Sequence, residues 1–243
     1  MRPFLLLSIR AQPAAAENEY ESFLRFSGLE ERQLPLVNLA REELPDLELD
    51  EWSGILLGGG PWNASDDQES KSDEQVRAER SIARLLDDVV TRDFPFLGAC
   101  YGIGTLGLHQ GGVVDRDWPE PVGPLSVTVT PDGQQDPLFS GVPTEFTAYG
   151  GHKEAMVRLP PGAVHLATSA ACPVQAFRVG RNVYATQFHP ELDLVGICTR
   201  IDVYKNAGYF DPGQAETLKT LSREVEVAHP MALLTNFVRL HAR

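Results

Sequence analysis

Apolar runs of strand length alternate with longer stretches of helical period along the first third of the chain. Residues 4–9 read as a first buried strand, and 14–29 as a helix with Tyr20, Phe23, Leu24 and Phe26 as its apolar stripe. A second strand falls at 34–39 and a third at Gly54–Leu57, a succession that predicts a parallel, doubly wound sheet whose ligands gather at the carboxyl ends of the strands. Pro61 to Ser72 is polar and reads as a loop, placed either to overhang the end of the third strand or to lie solvated on the surface. A long helix follows, carried by Val76, Ile82, Leu85, Leu86 and Val89. Residues 123–130 alternate as a half-exposed strand, and further short strands run to Phe188, with hairpin-like turns at Pro131-Asp132-Gly133 and Gly180-Arg181-Asn182. Antiparallel strands at one edge of the sheet are therefore expected. Beyond residue 192 the pattern is helical, at 194–206, 212–225 and 230–240.

The apolar run Phe96-Leu97 stops at Gly98-Ala99-Cys100-Tyr101-Gly102. Small residues two positions either side of a cysteine allow a tight strand-to-helix turn that pushes the thiol out of the sheet. Val183 to Gln187 is a second strand-like run, ending in Phe188-His189-Pro190-Glu191. His189 is placed to draw the proton from Cys100, whose thiolate is favoured by a nearby imidazolium and by the helix start at Tyr101, while Glu191 orients the ring. A third strand runs into Gly58-Gly59-Gly60-Pro61. Its free backbone offers the N–H of Gly60, with Gly59 as neighbour, to join that of Tyr101 as an oxyanion hole. Cys172 and Cys198 have no such company and read as structural. His109, His165, His229 and His241 need no function, and Asp66-Asp67 lacks further ligands for a metal.

These three segments, in this order, resemble the class I glutamine amidotransferases, and the Cys-Tyr-Gly form most resembles the glutaminase part of GMP synthase. The resemblance implies a flavodoxin-like three-layer α/β fold with a mostly parallel central sheet and antiparallel edge strands. It also implies hydrolysis of the glutamine side-chain amide through a thioester on Cys100, with ammonia passed to an acceptor elsewhere. Relative to the family's shortest members, about 193–228 reads as a helical insertion in a single domain spanning 1–243. Two positions depart from the family pattern. Gly104 stands where a glutamine commonly helps hold the substrate, and Gly151 precedes His152 where a serine is usual; Gly59, Gly104, Gly151 and His152 are the positions that the resemblance places near the substrate. Those departures keep a stand-alone γ-glutamyl amide or peptide hydrolase open as a substrate reading, and the change at Gly104 keeps a non-catalytic regulatory binding module open as well.

Composition narrows the partners. Of 243 residues, 21 are basic and 34 acidic, for a net charge of −13, so no basic face is available to neutralise the phosphates of a nucleic acid or to suit an anionic membrane. No run approaches the roughly 20 apolar residues of a membrane span. The N-terminal apolar stretch ends at Arg10 without a cleavage site and reads as a strand rather than a signal. Three cysteines without close spacing indicate a reduced, cytoplasmic protein. The expected partners are glutamine or a γ-glutamyl compound and an ammonia-accepting synthetase subunit. No metal or organic cofactor is expected, since Gly58-Gly59-Gly60 lacks the Gly-Lys-Ser/Thr of a nucleotide-binding loop.

Overall fold

A computed structural model describes residues 1–243. Its centre is a nine-stranded sheet of β1 (Phe4–Ser8), β2 (Leu36–Asn38), β3 (Gly54–Leu57), β4 (Phe96–Ala99), β6 (Glu120–Val129), β7 (Glu145–His152), β9 (Val164–Thr168), β10 (Ala176–Val179) and β11 (Val183–Thr186). A small antiparallel pair, β5 (Val113–Asp115) and β8 (Ala155–Arg158), lies apart from it. The order across the large sheet is β2-β1-β3-β4-β11-β10-β9-β6-β7. The five strands from β2 to β11 are parallel, and from β11 onward every pairing is antiparallel. This is the mostly parallel sheet with an antiparallel edge that the sequence pattern predicts.

The parallel strands are apolar on both faces because helices cover both. Leu5, Leu7, Ile55 and Leu57 point to one side, against Ile82, Leu85 and Leu86 of α2 (Asp73–Thr91) and Ile103 and Leu106 of α3 (Tyr101–His109). Phe4, Leu6, Leu56 and Leu97 point to the other, against Phe23 of α1 (Pro13–Ser27) and Leu233, Leu234 and Phe237 of α7 (Ala232–His241). Of the stripe expected on α1, only Phe23 is fully buried. The helix instead turns Ala15, Ala16, Glu19 and Ser22 inward, which brings it close to the sheet and puts a carboxylate inside the protein.

Local signals explain several boundaries. Ser72 caps α2 by accepting from the Gln75 N–H, and Gly28, at φ 73°, takes the left-handed position that ends α1. Gly180-Arg181-Asn182 does join the antiparallel pair β10 and β11. Pro131-Asp132-Gly133 is not a tight hairpin turn. It begins the short helix α4 (Pro131–Gln135), because Thr130 accepts from the Gly133 N–H and Pro131 occupies the first helical position, a combination that caps a helix rather than reversing a strand. The helical pattern after residue 192 resolves into α5 (Leu194–Tyr204), α6 (Ala215–Arg223) and α7. Ile197 and Ile201 of α5 and Ala215 of α6 pack with Tyr149 and Leu192 into a small cluster beside the carboxyl ends of the parallel strands.

No helix is long and apolar enough to cross a membrane. Phe237 is fully buried, with its ring centroid 6.0 Å from that of Phe4. Replacing Phe237 with Ala is expected to cost about 3–5 kcal/mol, read as a lower urea midpoint with an unchanged slope. An unchanged midpoint would mean that α7 does not belong to the core.

Candidate active site

Three carboxyl ends of parallel strands meet at one point. β4 delivers Cys100, whose φ of 53° and ψ of −90° are unusual for a residue with a side chain. The conformation is held by the Cys100 N–H donating to the Thr186 carbonyl of β11 at 2.7 Å, and by the close approach of β4 and α3. A Cβ on Gly98 would sit 2.9 Å from the Gly102 Cα, so Gly98 is sterically required, whereas a Cβ on Gly102 would only touch Leu57 at 3.6 Å. β11 delivers His189, whose N–H donates to the Tyr149 carbonyl of β7 at 3.0 Å. β3 delivers Gly59 between them. A Cβ on Gly59 would lie 3.0 Å from Cys100 Cβ, 3.3 Å from His189 Nε2 and 2.5 Å from its Cε1. Thiol and imidazole therefore flank the same glycine, which acts as the spacer that lets them approach.

Behind the imidazole, His189 Nδ1 lies 2.8 Å from Glu191 Oε1. Arg200 of α5, which the sequence did not single out, joins this pair. Its Nη2 donates to Glu191 Oε1 at 3.0 Å, and its Nη1 approaches His189 Nδ1 at 3.0 Å. In a neutral ring Nδ1 serves one of them at a time. Donating to Glu191 leaves the Nε2 lone pair toward Cys100, whereas accepting from Arg200 would put the proton on Nε2. The carboxylate bond is charge-assisted and the shorter of the two, so the first arrangement is favoured. A second buried pair backs the first. Arg10, just beyond β1, donates from Nε to Glu19 Oε1 at 2.7 Å and from Nη1 to the Tyr204 hydroxyl at 3.1 Å, and Arg200 lies 3.7 Å from the same carboxylate.

Burial sets the resting protonation. It pushes the Cys100 thiol up to about 12, with Arg10 and Arg200 opposing and Glu154 and Glu191 adding to the rise. It also lowers His189, where Glu191 works the other way and the two arginines assist. Burial thus favours a neutral thiol beside a neutral imidazole over the expected thiolate–imidazolium pair, because desolvation here outweighs the neighbouring charges. Burial works against the charge of Glu191 too, yet His189 and Arg200 together hold its carboxyl well below the usual range.

The N–H groups of Gly60 and Tyr101 have no acceptor within the protein. Gly60 lines the cleft at Cys100, and Tyr101 begins α3. The Tyr101 ring is buried, with its hydroxyl on Glu79 at 2.8 Å. Gly151 and His152 lie in the cleft, but the side chain of His152 is engaged elsewhere: Nδ1 on the Glu154 carbonyl and Nε2 on Glu120, both at 2.8 Å. Gly104 does not line the cleft itself. A Cβ there would meet Glu154 Oε1 at 2.9 Å, and the Glu154 carboxylate accepts from the Ala64 and Ser65 N–H groups at 2.8 Å each. Gly104 thus leaves room for Glu154 to pin the loop after β3, whose Trp62 and Asn63 border the cleft as expected of an overhanging loop. Cys172 is buried and Cys198 half-buried, both away from this point. Glu120, His152 and Cys172 could offer ligand atoms within 4.8 Å of one another, but His152 is spent as described and Glu120 is also held by Ser169 and Gln175, so the cluster is a closed hydrogen-bonded network.

An α/β sheet carrying a cysteine on a strained strand-to-helix turn, with histidine and glutamate from the next strand, defines a class of acyl-transfer folds. The model of the family Glutamine amidotransferase class-I matches residues 27–195, and the chain belongs to that family. It is 34% identical over 153 residues to one subunit of the glutamine-hydrolysing GMP synthase of Thermoplasma acidophilum, a match spanning 62% of this chain and 69% of that one. With the GMP synthase of Listeria monocytogenes it shares 30% over 141 residues, 58% of this chain but only 24% of the longer enzyme. Among solved structures, a glutamine amidotransferase from Thermotoga maritima superposes over the full length of both chains with a TM-score of 0.79 at 19% identity, which speaks to the fold. The solved structure of a GMP synthase-type subunit from Thermoplasma acidophilum gives 0.60 at 26% identity, over 92% of this chain and 99% of that one.

Two outcomes follow from the geometry. Gly59→Ala is expected to force the imidazole from the thiol and lower kcat at least about 100-fold with little change in thermal midpoint, since a misplacement of about 1 Å can cost that much; full activity would show that the ring does not need this spacing. Arg200→Gln removes a cation beside His189, so the imidazole gains protons more readily and the acid limb of kcat/KM moves to higher pH. A lower rate with an unmoved limb would assign Arg200 a structural role only.

Proposed function

We propose that the chain hydrolyses the side-chain amide of glutamine through a thioester on Cys100 and supplies the ammonia to a separate synthetase subunit. The reading rests above all on thiol, imidazole and carboxylate converging at the ends of β4 and β11 in a member of this family. In the reaction, His189 Nε2 takes the thiol proton as the sulfur attacks the amide carbon, while the N–H groups of Gly60 and Tyr101 donate to the developing oxyanion. The C–N bond then breaks, and His189 returns the proton to the departing ammonia. Water, deprotonated by His189, attacks the thioester carbon, the C–S bond breaks, and glutamate leaves with the thiol restored. Glu191 holds the ring throughout. The neutral resting pair suits this scheme, because proton transfer and carbon–sulfur bond formation then occur together, once a carbonyl is present.

The choice of glutamine, and of an external ammonia acceptor, draws on the Thermoplasma relative, which belongs to a glutamine-hydrolysing synthase. Residues 193–228 lie almost wholly beyond the family match, and we read them as a helical addition to one domain that brings Arg200, Tyr204 and Tyr209 to the cleft. The site's backbone-based specificity would come from Gly151 and the loop after β3, which Glu154 fixes in place of a side chain at position 104.

The test is ammonia release from glutamine by the wild type and Cys100→Ala. The variant is expected to lose at least about 10³-fold in kcat, as nucleophile removal does in comparable triads. Undiminished ammonia release by Cys100→Ala would contradict the reading, and no release by either protein would contradict it in favour of a regulatory binding module.

A further inference from the structure

The cleft has two lobes that meet at Cys100, and they differ in charge. One is bounded by Trp62, Asn63, His152 and Glu154; of the positions expected near the substrate it includes His152 and shares Gly151 with the other lobe. The other is open to solvent and is bounded by Arg10, Arg200, Tyr204 and Phe210 together with His189. Because this lobe opens outward, a leaving group larger than ammonia can extend from the thiol toward solvent. His189 borders this second lobe and not the first. The group that protonates a leaving nitrogen must face it, so the leaving group departs into the second lobe.

Both charged residues lining that lobe are cations. Glu19 and Glu191 are turned to their arginines and do not border it. Arg10 is 3% exposed, and its Nε and Nη1 are committed to Glu19 and Tyr204, but its Nη2 has no partner within the protein. A buried guanidinium with a free donor, beside Tyr204, Tyr209 and Phe210, is suited to a carboxylate carried on an apolar or aromatic body.

We propose that the arginine-lined lobe is a leaving-group site, and that the chain cleaves γ-glutamyl amides whose amine portion bears a carboxylate and an apolar side chain in preference to neutral amides of the same size. The proposal rests on the acyl-transfer reading of Cys100 and widens its substrate class. The chemistry is unchanged: the C–S bond forms, the C–N bond breaks, His189 passes its proton to the amine nitrogen, and water releases glutamate from the thioester.

The test compares γ-glutamylphenylalanine with γ-glutamylphenethylamide, which differ by one carboxylate, and includes glutamine as reference. The wild type is expected to show kcat/KM at least about tenfold higher for the carboxylate-bearing substrate, the factor that one hydrogen bond to a charged group supplies. In Arg10→Gln that ratio should fall to near one, and because loss of this buried cation endangers the fold, Tyr204→Phe, which frees Arg10 without removing it, should retain a ratio above one. Equal kcat/KM for the two amides in the wild type, or cleavage of glutamine alone, would overturn the proposal while leaving the glutaminase reading intact. An equal loss on all three substrates in Arg10→Gln, with the thermal midpoint unchanged, would place Arg10 at the glutamyl end and overturn it as well. No turnover of any substrate by the wild type would remove both readings.

Discussion

A positive backbone angle at Cys100 is the constraint on which the site depends. A residue with a side chain in this conformation is costly, by about 1–3 kcal/mol, and persists only where its surroundings leave no alternative. Here the hydrogen bond to Thr186 fixes the turn from the β11 side, and the contact of Gly98 with Gly102 fixes it from the α3 side. Because β4 and β11 are parallel neighbours in register, the same pairing that holds the turn also brings the His189 segment to it. Fold and site are thus coupled through one strand pair.

The second determinant is a set of buried charges arranged in two matched pairs. Arg10 with Glu19, and Arg200 with Glu191, sit behind the imidazole with their formal charges in balance. Each pair would be expensive to bury alone, and breaking one leaves an uncompensated charge. The arrangement keeps His189 neutral and oriented while presenting only the cationic side to the cleft. It joins β1, α1, α5 and the segment after β11, so the helices after residue 193 contribute directly to the site's electrostatics.

Much of this was legible in the sequence for a physical reason. The parallel strands, the thiol-bearing turn and the glycines after β3 are local patterns, each dictated by a few adjacent residues. His189 and Glu191 are two residues apart and point to each other for the same reason. The missed residues, Arg10, Glu19, Arg200 and Glu154, act through partners far away in the chain. Arg10 read as the end of an apolar run, and Glu19 was hidden in a helix whose aromatic positions drew attention to another face. Arg200 lies among apolar residues of a helix that showed no motif. Only the burial of a charge on an apolar helix face could have signalled it. Glu154 was invisible as a partner of Gly104 because the missing side chain at 104 gives no hint of what fills the space. Enclosure works against the expected thiolate, and it could not be read beforehand because neighbouring charges can be guessed from sequence whereas the degree of burial cannot.

The central claim is that Cys100 carries the acyl group during turnover. Peptide mapping by mass spectrometry, on wild-type chain acid-quenched while hydrolysing glutamine, tests it most directly. The account predicts a γ-glutamyl mass increment on the peptide containing Cys100, absent from His189→Ala treated alike. An increment on Cys172 or Cys198, or turnover with no acylated cysteine at any quench time, would contradict it.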